Sequence, residues 1–164
     1  MKPARSLKAR ALQWLAQREQ SRVELRRKLL PHALTEAEGV GDAVSVARAT
    51  VEALLDWLEA HQYLSSERFV ESRVHARAAR FGNVRIRSEL KQHALSLSAE
   101  TAQSLAATEL DRAAQLVARK FGAEPATPAA RARQARFLAG RGFSSDTIRS
   151  VLRRPRGAAA SDGD

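Results

Sequence analysis

Two clusters of arginine are the residues of this chain best placed to do chemistry. Arg73, Arg77 and Arg80 are spaced four and three apart, so on a helix they share one face; Arg85 and Arg87 follow directly. Five guanidiniums within fifteen residues can grip phosphates or carboxylates bidentately. Arg22, Arg26 and Arg27 form a second patch. This is binding chemistry rather than turnover. None of the four histidines (His32, His61, His75, His93) stands in a two-histidine helical spacing with a third ligand, and neither a P-loop nor a dinucleotide-type glycine motif is present. Cysteine is absent, which removes disulfides, thiolate catalysis and zinc fingers. Glu24 reads as a capping residue and Glu89 as a first-turn acid, not as general bases. The expectation is a protein with no catalytic residues, no metal and no cofactor.

The charge balance says what such a surface would meet. Lysine and arginine total 28 against 18 acids, a formal net charge of +10 over 164 residues. That excess points to a polyanion. The charge is also polarised: residues 1–32 hold nine basic and two acidic side chains, residues 33–64 one basic and six acidic. No apolar run reaches membrane-span length, and no hydrophobic segment follows Met1-Lys-Pro-Ala-Arg-Ser. A soluble, cytoplasmic, monomeric protein is expected.

The elements that must position these arginines are all helices. A first helix begins near Ser6 with Leu7, Ala11, Leu12 and Leu15 on one side. Ser21 and Glu24 make a capping box for a second, with Leu25, Leu29 and Leu30 buried and Pro31 helping to stop it. Residues 34–42 read as a polar connection. A third helix carries Ala47, Val51, Leu54, Leu55 and Leu58, with Trp57 beside that stripe as a packing residue. Ser65 or Ser66 caps the next, which lines up Val70, Val74, Ala78 and Phe81 and ends at Gly82-Asn83 in a left-handed turn. A short helix over 85–94 buries Ile86 and Leu90. Ser98 opens another that bends before Glu109 and continues through Val117 to Phe121. After a linker over 122–128, a helix over 129–139 closes at Gly140 and Gly142. Ser144-Ser145-Asp146 caps the last, stopped by Pro155, and the tail from Arg156 is expected to be disordered. Alternating strand patterns are missing.

The chain also repeats itself. Glu24-Leu25 with His32-Ala33-Leu34-Thr35 returns as Glu89-Leu90 with His93-Ala94-Leu95-Ser96, and in degraded form around Phe137 to Ser144. The segments Ala11 to Arg18, Ser21 to Leu25, Leu55 to Leu58, Tyr63 to Phe69, Phe81 to Leu90, Arg136 to Ser144 and Ile148 to Leu152, in this order, resemble the RecX family of regulatory proteins. The likeness covers roughly residues 7–154. It implies tandem three-helix repeats in an elongated, curved array: a flexible start over 1–6, repeats over 7–64, 65–108 and 109–154, and a disordered tail over 155–164. It also implies a partner, the RecA recombinase filament, whose ATP turnover, strand exchange and growth such proteins limit. Two departures stand out. The family often has Lys-Gly where this chain has His32-Ala33 and His93-Ala94, so those helix ends are expected to close without a left-handed cap. The third repeat is interrupted by Gly122 to Pro128.

On this reading Arg73, Arg77, Arg80, Arg85, Arg87, Arg22, Arg26 and Arg27 contact the partner or single- or double-stranded DNA. The competing reading is a general helical DNA-binding protein that acts by competition for DNA, its helix pairs around Ser21 and Ile86 resembling helix-turn-helix units.

Overall fold

A computed structural model describes residues 5–122, 125 and 127–153. The described residues form eight α-helices and no strand: α1 Leu7–Gln17, α2 Arg22–Glu36, α3 Ala43–Ala60, α4 Ser66–Ala78, α5 Asn83–Gln92, α6 Ala99–Phe121, α7 Pro128–Gly140 and α8 Ser145–Arg153. The expected tail over 155–164 lies outside them.

Local sequence explains most of the helix starts. Seven of the eight open on a side-chain oxygen that accepts an N–H of the first turn: Ser6, Ser21, Asp42, Ser65, Ser98, Thr127 and Ser144. At Ser21 the capping box is complete, since Glu24 Oε2 accepts the Ser21 N–H in return. Burial pushes the Glu24 carboxyl up, but hydrogen bonds from the Arg18 guanidinium and the Ser21 N–H more than offset it, leaving the group below its ordinary range.

Contacts gather the chain into two units. Unit 1 comprises residues 1–72 and 93–95. Its core is aliphatic, built on Leu25 and Leu29 of α2 against Val51, Leu55 and Leu58 of α3, each 1 % exposed or less. Each such burial contributes about 1.5–3 kcal/mol. Trp57 is half-buried beside this core, under the Lys8 ammonium at 3.4 Å and stacked with His61 and Tyr63. His93 belongs to this unit too: its Nδ1 lies 2.8 Å from Ser21 Oγ and its ring packs on Phe69.

Pro31 does not stop α2, which runs on to Glu36. The lost bond would have reached the carbonyl of Arg27, and both residues are solvent-exposed, so water can take its place. Burial of Ala33 and Ala37 holds the last turns down. The polar connection is correspondingly shorter than expected. The two His-Ala sites then behave differently. Ala33 is mid-helix, whereas Ala94 adopts φ +57, the left-handed conformation that was expected to be avoided there. Gln62 does the same at φ 64 after α3, where Tyr63 N–H reaches the Leu58 carbonyl at 2.9 Å.

Unit 2 comprises residues 73–92 and 96–164. One cluster of its core joins Ala113, Leu116 and Val117 of α6 to Leu138 of α7, Phe143, and Val151 of α8. α6 does not bend before Glu109. Leu105, Glu109, Ala113, Leu116 and Val117 make one continuous buried line along a 23-residue helix. Glu109 tolerates burial because it has work at both oxygens: Oε1 accepts the Asn83 N–H at 2.7 Å and Oε2 the Thr147 hydroxyl at 3.0 Å. It thereby caps α5, the one helix here without a local cap.

Candidate functional site

The arginines of unit 2 are organised by a turn-to-turn contact. α7 ends in a Schellman motif: Gly142 is at φ +79, and Phe143 N–H reaches the Leu138 carbonyl at 3.2 Å. Against this turn sits Gly82, whose N–H donates to the Arg141 carbonyl at 2.9 Å, while Val84 N–H donates to the Gly142 carbonyl at 3.1 Å. Gly82 is not in the left-handed region, and Asn83 opens α5 rather than closing α4, which corrects the sequence expectation. Glycine is required at 82 for space: a Cβ there would lie 2.3 Å from the Gly142 oxygen and 2.4 Å from the Phe143 nitrogen.

The ring of Phe81 is the hub of the basic surface. Arg85, Arg77, Arg141 and Arg80 place their guanidinium carbons 4.4, 5.3, 5.6 and 5.8 Å from its centroid. Arg141 also lies 5.2 Å from the Phe137 ring and donates to the Arg80 carbonyl. Glu89 faces this cluster from mid-α5 rather than from a first turn, because the helix starts at Asn83. It lies 3.0 Å from Arg77 Nε and 3.4 Å from Arg85 Nε. The Arg77 nitrogen and its Glu89 oxygen are buried and not aligned for a hydrogen bond. Arg73 is half-buried on α4, and Arg87 is exposed on α5. Beneath the cluster, Arg112 donates to the carbonyls of Ala78 and Phe81 and to Asn83 Oδ1, satisfying the frayed end of α4. Burial lowers its pKa against the opposing pull of Glu109.

The other predicted patch is divided. Arg22 binds Glu52 at 2.7 Å, Asp56 at 2.7 Å and Glu59 at 2.6 Å, all on α3. Arg26 clamps Glu52 through two nitrogens. Hydrogen bonds from Arg26 and then Arg22 hold the Glu52 carboxyl down at about 2, and the Glu52 bond raises Arg22. Arg27 points outward, exposed. The oppositely charged segments that the sequence displays over 1–64 thus meet across α2 and α3, where Arg22 and Arg26 answer Glu52, Asp56 and Glu59. By composition unit 1 carries eleven basic and ten acidic residues, unit 2 seventeen basic and eight acidic. Almost the entire net charge belongs to unit 2.

Sequence reasoning missed Arg141, Arg112 and Glu109 as organising residues. Arg141-Gly142-Phe143 is legible as a helix end, but nothing local says that it meets Phe81-Gly82-Asn83.

Residues 107–152 match the family model described as RecX, third three-helix domain. The chain is similar along nearly its whole length to proteins called Regulatory protein RecX. That of Herbaspirillum seropedicae is 50 % identical over 153 residues, covering 92 % of either chain. That of Ralstonia nicotianae is 48 % identical over 149 residues, 90 % of this chain and 86 % of the relative. That of Leptothrix cholodnii is 49 % identical over 154 residues, 93 % of this chain and 90 % of the relative.

Proposed function

Because this chain belongs to the RecX family of regulatory proteins, we propose that it binds the RecA recombinase filament and limits its ATPase and strand-exchange activity, modulating recombination and DNA repair. The observation that carries the reading beyond the family name is that nearly all of the positive excess belongs to unit 2, the unit that holds the Phe81 cluster. A filament on DNA presents phosphates, and a basic face on a helical scaffold is suited to meet them. Within this proposal the chain consists of three helical repeats over 7–64, 65–108 and 109–154, the last two sharing the continuous helix α6. It lies in the filament groove as a monomer, so that the occupied groove cannot take a second duplex. Arg80, Arg85 and Arg87 face the filament or its DNA; Arg73 and Arg77 support them, and Arg27 adds a contact from unit 1. Arg22 and Arg26 act indirectly, by fixing α2 on α3. The reading requires no cofactor and no catalysis by this chain. Among the described residues, no helix is long and apolar enough to cross a membrane.

The test is RecA's DNA-dependent ATPase, with this protein titrated in below one molecule per RecA and DNA in excess. Inhibition under those conditions supports action on the filament, because excess DNA disarms competition. Arg80→Ala with Arg87→Ala should leave the protein folded and raise the concentration needed for inhibition. Loss of inhibition by wild type whenever DNA is in excess would favour the competing reading, general DNA binding. A steep fall of binding with salt would accompany that result.

A further inference from the structure

Next to the Phe81 cluster, and sharing Arg141 with it, unit 2 has a shallow groove of about 230 Å³. Its floor is Leu116 and Phe137, and its rim is Arg119, Lys120 and Arg141. We propose that this groove binds single-stranded nucleic acid, with a base on the Phe137 floor and the flanking phosphates on Arg119, Lys120 and Arg141. The inference goes beyond the RecA reading and would stand for a protein with no effect on RecA.

Three observations carry it. The described residues lining the groove bring three cations and no carboxylate, in a unit whose basic side chains outnumber its acids by seventeen to eight. Arg141 is preorganised: its guanidinium carbon lies 5.6 Å from the Phe81 ring centroid and 5.2 Å from that of Phe137, and the guanidinium donates to the Arg80 carbonyl. Little side-chain entropy remains to be lost when it takes a phosphate. Finally, Phe137 is only half-buried: it sits edge-on to Phe121 at the partly exposed margin of the core cluster, which leaves part of its ring open to the groove. Cations in the last turn of α6 are accounted for by the helix dipole alone. The dipole does not account for an apolar floor at their feet. A positively charged groove with an aromatic platform is the pattern that tracks an unpaired strand, because every base offers a π-face. In a duplex the bases are stacked on one another, so the floor would stay uncovered.

The experiment uses the full chain and no RecA. Fluorescence anisotropy follows binding to one mixed-sequence oligonucleotide, as a single strand and as a duplex, across a salt series. Both rim residues of α6 are exposed, so Arg119→Ala with Lys120→Ala should fold as wild type by circular dichroism. Losing two phosphate contacts should lower the salt slope for the single strand by about 1.4 and the affinity on the order of 25-fold at about 0.1 M salt. Phe137→Leu keeps an apolar side chain in the core and should weaken the single strand by about fivefold or more, with duplex binding unchanged. An iodouracil-substituted strand should photocrosslink to the tryptic peptide Phe137 to Arg141. An unchanged salt slope in the double variant would overturn the proposal. So would a Phe137→Leu protein that binds the single strand as wild type does, or loses single strand and duplex alike. Neither failure touches the ATPase test, which asks a separate question.

Discussion

Gly82→Ala is the change that tests how the basic surface of unit 2 is held together. The new Cβ would meet backbone atoms of Gly142 and Phe143 at 2.3–2.5 Å, and backbone cannot rotate away as a side chain can. Restoring ordinary contact requires the two turns to separate by about 1 Å, which breaks the bonds from Gly82 N–H to the Arg141 carbonyl and from Val84 N–H to the Gly142 carbonyl. Two such bonds are worth about 2 kcal/mol net. Partial exposure of Phe143 and Phe81, now 4 % and 9 % exposed, adds about 1–2 kcal/mol. The expected destabilisation is therefore about 3–4 kcal/mol, with binding to RecA–DNA reduced although no basic residue has changed. Gly142→Ala should cost a similar amount, since its Cβ would lie 2.4 Å from Arg85 Cβ and its φ is +79. The double variant should cost about 2 kcal/mol less than the sum, because both changes break the same pair of bonds. Gly140→Ala is the control: nothing lies within 4 Å of its Cβ position, and inside α7 alanine should stabilise by about 0.5–1 kcal/mol. Urea unfolding is read twice. Far-ultraviolet circular dichroism reports on all helices, whereas Trp14 and Trp57, the two tryptophans, both report on unit 1. The loss should appear in the dichroism and less in the fluorescence. A Gly82→Ala protein within about 1 kcal/mol of wild type, or strictly additive glycine changes, would refute the reasoning.

Two further outcomes follow from unit 1. Ala94→Gly removes the penalty of a left-handed alanine at φ +57 and should raise stability by about 0.5–1 kcal/mol, seen as a higher urea midpoint at unchanged slope; a lower midpoint would contradict it. The Glu52 carboxyl is depressed from 4.5 to about 2, so its contribution is fully present above pH 4.5 and lost as pH falls toward 2. Its side chain is 39 % exposed, so screening limits that contribution to roughly 1 kcal/mol. Glu52→Gln should flatten acid unfolding in that window, and an unchanged pH dependence would remove the α2–α3 network from the stability of unit 1.

Local signals were legible where the physics is local. Ser21 with Glu24, the Leu25 and Leu29 stripe and the Gly142 helix end are each written within a few residues, and each appears in the fold as read. Three readings failed for reasons that lie far away in sequence. Pro31 looks like a stop, but its missing bond falls on a wet face while Ala33 and Ala37 are buried beyond it. Gly82-Asn83 looks like a left-handed terminator, but the glycine serves close approach to Gly142, sixty residues on. Glu109 looks like a place for α6 to bend, yet its carboxylate is buried because Asn83 and Thr147 supply donors from two other helices. Hydrophobic period and caps announce themselves; a partner that arrives from another helix does not.

The same distinction governs the candidate site. As a string, Arg22, Arg26 and Arg27 are as basic as Arg80, Arg85 and Arg87, and nothing nearby ranks them. Folding ranks them. Arg22 and Arg26 spend their charge on Glu52, Asp56 and Glu59, three acids from a segment that looked like a separate acidic field. The Phe81 cluster spends little, with Glu89 answering two of its four guanidiniums. A charge already satisfied inside the protein must be broken free before it can bind a phosphate, and that cost falls on the affinity. The field of unit 2 meets that cost only where Glu89 answers Arg77 and Arg85, so it is the unit whose arginines should set the salt dependence of any complex with DNA.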